Sequence, residues 1–218
     1  YDQARAALYE GDYGYQLIGD VASLGFTVNG IVPDGFRVMT MNKKVESLAD
    51  MHGLKMRMPN LEIMVEIGNY LGFAVTPMSM TEVFSALEQG VIDGQENPPS
   101  TLRSQGWYEI QDYLLVSNHV FTSLFLCVNN DFYNSLDSEL QNILDEVIDE
   151  TCAQIWDTAQ TQAQEDLDYM SSEGGIEVYE PSDSFRQEMV EATAPMYDNM
   201  YETAPEVEEV INAIQAIQ

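Results

Sequence analysis

LKMRMPNLEIMVEIGNYLGFAVTP, residues 54–77, changes its apolar rhythm twice within one short stretch. LKMRM (54–58) is a compact apolar run that predicts a strand. From Pro59 and Asn60 the apolar positions take helical spacing up to about Leu71, and Gly72 suits a C-terminal cap. FAVTP (73–77) then predicts a second strand. Just downstream, Ser79-Met80-Thr81-Glu82 matches a capping box, in which Ser79 and Glu82 each satisfy a free backbone N–H. The helix it opens, TEVFSALEQ, stops at Gly90, and VIDG (91–94) predicts a third short strand. This β-α-β-α-β order predicts an α/β fold with a parallel sheet and helices packed on it.

Outward from this centre the pattern is less regular. Residues 1–24 have helical spacing broken by GDYG (11–14), FTVNGIVP (26–33) predicts a strand ending at its proline, and GFRVMTMN (35–42) is a second extended piece. VFTSLFLCVNN (120–130) predicts a further strand. Residues 138–170 keep apolar positions at helical spacing throughout, which predicts one long helix able to cross from one lobe to another. EGGIEVYEP is a turn with a short strand, and residues 183–217 are again helical.

Composition narrows the function. The 218 residues carry 8 Lys and Arg against 37 Asp and Glu, a net charge of −29, and 45% are hydrophobic. The chain is globular, and it has no basic face with which to release counterions from nucleic acid or to meet an anionic membrane. No apolar run approaches the roughly 18 residues of a membrane span. Cys127 and Cys152 both read as small buried hydrophobes, with no zinc or disulfide framework around them. His52 in a turn and His119 at the start of an apolar strand are the only histidines. There is no GxSxG, HExxH or phosphate-cradling glycine loop, and DGQEN lacks the spacing of a calcium loop. The expectation is therefore no enzyme, no cofactor and no metal; an enzyme on the same scaffold is the remote alternative.

Against this acidity the cations stand out. Arg37, Lys43, Lys44, Lys55 and Arg57 are five of the eight, all between positions 37 and 57. Arg57 lies at the C-terminal end of a predicted parallel strand, just before a helix, and Asn97 follows the end of another. Ligands of open α/β sheets bind outside the C-terminal strand ends, and an arginine fork matches a carboxylate with two parallel hydrogen bonds. Arg57 is thus a candidate carboxylate clamp with Asn97 as a neutral second donor. Composition alone leaves a structural ion pair with one of the many acids equally open for Arg57, and also open for Arg37. Lys55 reads as a rim cation.

GFRVMT, SLADMHGLKMRMPN, LGFAVTPMSMTEVFSALEQGVIDGQENP and WYEIQDYLLVSNHV, in this order and spacing, closely resemble the solute-binding proteins of TRAP transporters, the DctP-type family. The resemblance runs from about residue 1 to the C-terminus. It implies a periplasmic-binding-protein-like two-lobed fold, with mixed sheets flanked by helices and a long helix crossing both lobes. It also implies a periplasmic or extracytoplasmic location, a small organic acid as ligand and TRAP membrane permease subunits as partners. Carried onto this chain, the family's carboxylate-binding arginine is Arg57 and its ligand-contacting asparagine is Asn97. Arg37, Asn60, Met80 and Trp107 fall at positions near the ligand. The implied lobes are 1–34 with 123–162 and 35–122 with 163–218. The family carries a segment N-terminal to the position of Tyr1, so the first lobe is expected to be incomplete. Its open edge would favour self-association, and a lobe that assembles without binding ligand alone is the alternative function.

Overall fold

The computed structural model describes residues 1–8 and 12–216. In chain order the elements are α1 (Asp2–Leu8), α2 (Asp12–Ala22), β1 (Phe26–Phe36), β2 (Val38–Met41), α3 (Leu48–Met51), β3 (Lys55–Met58), α4 (Glu62–Tyr70) and β4 (Ala74–Pro77). They continue with α5 (Val83–Glu88), β5 (Gly94–Asn97), α6 (Pro99–Gln105), β6 (Tyr113–Leu115), β7 (Phe121–Asn129) and α7 (Asn130–Ser135). The last are α8 (Ser138–Ser172), β8 (Glu177–Tyr179), α9 (Asp183–Thr203) and α10 (Glu206–Gln215). Among the described residues no helix is long and apolar enough to cross a membrane.

The chain forms two compact units. The first comprises Tyr1–Gly35, Thr122–Gln162 and Glu208–Gln218; the second comprises Phe36–Phe121 and Ala163–Val207. The helix predicted over 138–170 is present as α8, and its residues are shared between the two units. In the first unit β1 and β7 form a two-stranded sheet. Cys152 and Trp156 of α8 are buried against β1, where the Trp156 indole N–H donates to the Ile31 carbonyl at 2.8 Å. β1 continues through Pro33 to Phe36 rather than ending at the proline; in a two-stranded sheet each strand is an edge, where a residue without an N–H is tolerated. Tyr13 and Gly14 lie inside α2, not in a break; Gly11 of the same GDYG stretch lies outside the described residues. Residue 217, at the end of the predicted last helix, also lies outside them.

The second unit is built on a six-stranded sheet in the order β4-β3-β5-β2-β6-β8. β3 runs parallel to β4 and β5, β6 runs parallel to β8, and β2 is antiparallel to both β5 and β6. Five strands therefore end at one edge of the sheet and β2 begins there. Met39, Met41, Met56, Met58 and Leu115 face one side, against Met64 and Ile67 of α4 and Phe185, Met189 and Met196 of α9. Val38, Leu114 and Val116 face the other, against Val83 and Leu87 of α5, Leu102, Trp107 and Met170. The alternation of side chains along each strand produces these two layers.

The β-α-β-α-β order is present, with local corrections. α4 begins at Glu62 with Leu61 in the extended N-cap position, so Asn60 does not open it. Gly72 takes φ +86 just past the helix, the left-handed geometry of a C-terminal glycine. The Ser79/Glu82 capping box is formed, first opening a 3-10 turn over Met80–Glu82. The third strand is Gly94–Asn97, three residues beyond its expected start. Its residues Gln95, Glu96 and Asn97 are all buried, and a polar strand carries none of the apolar alternation by which strands are recognised. Cys127 is exposed and Cys152 buried, both as free thiols, so only Cys152 is the buried hydrophobe expected of each.

Candidate functional site

The strand ends of the second unit bring three predicted site residues, Arg37, Arg57 and Asn97, to one edge of the sheet. Arg57 is paired with Gln95 across the parallel β3–β5 register, and Val38, next to Arg37, is paired with Asn97 across β2–β5. Alternation sends Arg57 away from Met56 and Met58, toward the face that carries Thr40 and Gln95. There the Gln95 side-chain amide donates to Thr40 Oγ1 at 2.9 Å.

The two arginines are held differently. Arg37 is forked onto Glu96: its Nε donates to Oε2 at 2.5 Å and its Nη2 to Oε1 at 2.9 Å. Nη2 also reaches the Glu96 carbonyl and Asn97 Oδ1, each at 3.0 Å. The ion-pair reading of Arg37 is thus the one its geometry supports, with a buried glutamate as a partner. Arg57 is only 4% exposed, and its Nε and Nη2 donate to a single acceptor, the Met78 carbonyl, at 3.1 and 2.9 Å. Among the described residues no acid lies within ion-pair distance of it. Burial lowers its pKa, Glu96 opposes that shift and Arg37 adds to it.

Glu96 is the residue that sequence reasoning passed over, although it stood inside the quoted GQENP. It is fully buried. Burial alone would push its carboxyl up; the close His119 ring and the hydrogen-bonded, positively charged Arg37 guanidinium outweigh burial and hold it below the usual range. His119 Nε2 lies 3.4 Å from Glu96 Oε2, too poorly aligned for a good hydrogen bond, while its Nδ1 is 2.8 Å from Ser117 Oγ. Nothing local in the sequence marks Glu96, because its place is set by Arg37, which lies 59 residues away in the chain.

The remaining predicted positions scatter. Asn97 is buried, accepting from Arg37 and donating from Nδ2 to Gln95 Oε1 at 2.8 Å, which leaves one amide N–H for another acceptor. Asn60 and Met80 are exposed, near the end of β3 and after β4 respectively. Trp107 corrects its expectation: it is 1% exposed within the apolar layer of Val83 and Leu102, so it packs the core and offers a ligand no surface. Lys55 is exposed at the start of β3, away from this edge, as a rim cation.

The model of the bacterial extracellular solute-binding proteins, family 7 (DctP), matches residues 1–204. The chain belongs to that family. The family is one of solute-binding proteins rather than enzymes, and its extracellular character agrees with the expected location outside the cytoplasm. A Haemophilus influenzae protein of uncharacterised function is 34% identical over 181 residues, 83% of this chain and 55% of its own length. The C4-dicarboxylate-binding periplasmic protein DctP of Rhodobacter capsulatus is 30% identical over 193 residues, 88% of this chain and 58% of its own. The chain thus spans little more than half the length of these curated relatives. Among solved structures, a TRAP periplasmic solute-binding protein of Haemophilus influenzae with bound L-gulonate superposes with a TM-score of 0.93 at 30% identity, over 100% of this chain and 71% of that one. The sugar acid binding protein of Advenella mimigardefordensis, in complex with galactonate, gives 0.92 at 26% over the same shares.

Proposed function

We propose that this DctP-family chain is the receptor of a TRAP-type transporter: it grips the carboxylate of an organic acid with Arg57 and delivers the acid to a membrane permease. The observation that carries this reading is a buried guanidinium with one carbonyl acceptor and no counter-ion among the described residues. The Glu96 carboxylate is itself engaged by the Arg37 fork. A buried charge without a partner is costly, and an incoming carboxylate supplies the missing acceptor pair. Asn97, fixed by Arg37 and Gln95, turns its remaining amide N–H to the same anion. Asn60 and Met80 line the rim.

Sugar acids are the first class to test, because relatives that superpose with TM-scores of 0.91–0.93, at 25–30% identity, hold L-gulonate, galactonate and glucuronate. A thermal-shift panel of gulonate, galactonate, glucuronate and succinate should show a raised melting point with at least one sugar acid, since a ligand of the folded state stabilises it by mass action. By calorimetry, Arg57→Lys should weaken that acid about 10- to 100-fold, the cost of replacing a charge-assisted fork by a point charge. Equal affinity for both variants would remove Arg57 as the clamp.

A second reading rests on the first unit. β7 has no fully buried position, and Leu124, Phe132, Leu140, Ile143 and Val147 are all exposed around it. An apolar strand and helix face so exposed favours self-association. Light scattering across a concentration series tests it: a monomer throughout would dismiss this reading, whereas a dimer without any thermal shift from the acids would favour it over the receptor.

A further inference from the structure

A cavity of about 210 Å³ opens in the second unit, on the sheet face opposite Arg57. Ile67 and Leu71 close one wall and Met189 and Met196 the other, all four belonging to the apolar layer of Met56 and Met58. One end is polar, formed by Ser117, His119 and Arg186. Arg186 is loosely held: its Nη1 reaches the Ser117 carbonyl at 3.3 Å and its Nη2 reaches Glu180 at 3.4 Å. Both distances lie beyond ordinary N–H···O bonds, and among the described residues no hydrogen-bond partner is seen for Nε. Glu180 is 66% exposed, so solvent screens its repulsion of an anion. His119, by contrast, is 6% exposed, and its Nε2 makes no hydrogen bond.

We propose that this cavity is a second binding site, for a small monocarboxylate with an apolar body of about the size of benzoate, whose carboxylate meets Arg186 while its body lies between Met189, Met196, Ile67 and Leu71. An apolar cavity of roughly 150 Å³ is enough to hold a benzene ring, and methionine-lined walls adapt to ring shapes and make favourable sulfur–aromatic contacts. The polyhydroxylated acids assigned to the Arg57 edge are unsuited here, because the hydroxyls along their bodies would lie between the two apolar walls. The two sites take different ligand bodies on different faces of one sheet, and this inference does not depend on the Arg57 reading.

Methyl-detected NMR of methionine-labelled chain, titrated with benzoate, tests the site. The Met189 and Met196 methyl signals should shift and saturate. Arg186→Gln should weaken benzoate about tenfold, the loss of one charge-assisted contact, and leave benzyl alcohol, the same body without the charge, unaffected. Val190→Trp, at an exposed position of the mouth, should block both probes without touching the core. Arg57→Lys should leave the benzoate titration unchanged. The proposal is overturned by any one of four results: no saturable shift at these methyls, equal benzoate affinity in Arg186→Gln, the same shifts with gluconate, or loss of the shifts in Arg57→Lys, which would seat benzoate at the other site.

Discussion

A carboxylate removed from water needs a partner for each oxygen, and Glu96 finds both in the Arg37 fork. Glu96→Gln keeps the shape and removes the charge, breaking the buried Arg37–Glu96 pair from one side. Breaking a buried pair from one side costs about 3–5 kcal/mol, and chemical denaturation should read a loss of that order. The pH dependence follows from the depressed carboxyl of Glu96. A carboxyl whose folded value lies below its unfolded one stabilises the fold above the unfolded value and loses that contribution as pH falls through the folded value. The gap in stability between wild type and Glu96→Gln should therefore be constant well above the ordinary glutamate value of 4.5 and close as the pH drops below it. A gap independent of pH down to acid unfolding would mean that Glu96 is held by shape rather than charge. Arg57 and Glu96 also show how unevenly a site can be read. An arginine at a strand end among 37 acids is conspicuous; one buried glutamate among those 37 is not, because nothing in its type or spacing marks which acid goes inside.

Among the elements, β5 is the one whose placement matters most to the site. Its four residues, Gly94-Gln95-Glu96-Asn97, are all buried between β3 and β2. Gly94 is required by closeness: a Cβ there would collide with the Thr40 carbonyl and the Met41 side chain. Gly94→Ala should destabilise the chain by about 1–3 kcal/mol, the usual cost of overpacking, and should also displace Asn97 and Glu96. A crystal structure of the variant with β5 unmoved and stability unchanged would refute this. β5 was expected three residues too early because VIDG looks like a strand and QEN like a loop. Cross-strand partners, Thr40 for Gln95 and Arg37 for Glu96, make a polar strand viable, and such partners are invisible to any local pattern. By contrast β3, α4, β4 and α5 carry their own periodicity and caps, and were legible to within a residue or two.

For the whole molecule, the net charge of −29 should repel an organic anion. The magnitudes separate equilibrium from rate. A guanidinium about 4 Å from a carboxylate contributes on the order of 4 kcal/mol at an effective dielectric of ~20, whereas acids beyond about 8 Å are largely screened at physiological salt. The local site governs affinity, and the global field slows encounter. Stopped-flow association with a sugar acid should speed up on moderate addition of salt; a rate that falls with salt would reveal a basic funnel. The linear chain by itself determined the α/β class, the long α8, the family and the place of Arg57 at a strand end, because each is written in short-range periodicity, caps and contiguous motifs. Only the tertiary structure decided that Arg37 spends its fork on Glu96, that Trp107 is core, that β5 is a polar strand and that Arg57 meets no counter-ion among the described residues. Those outcomes depend on which distant residues share a buried space, and burial, unlike periodicity, is a property of the folded chain.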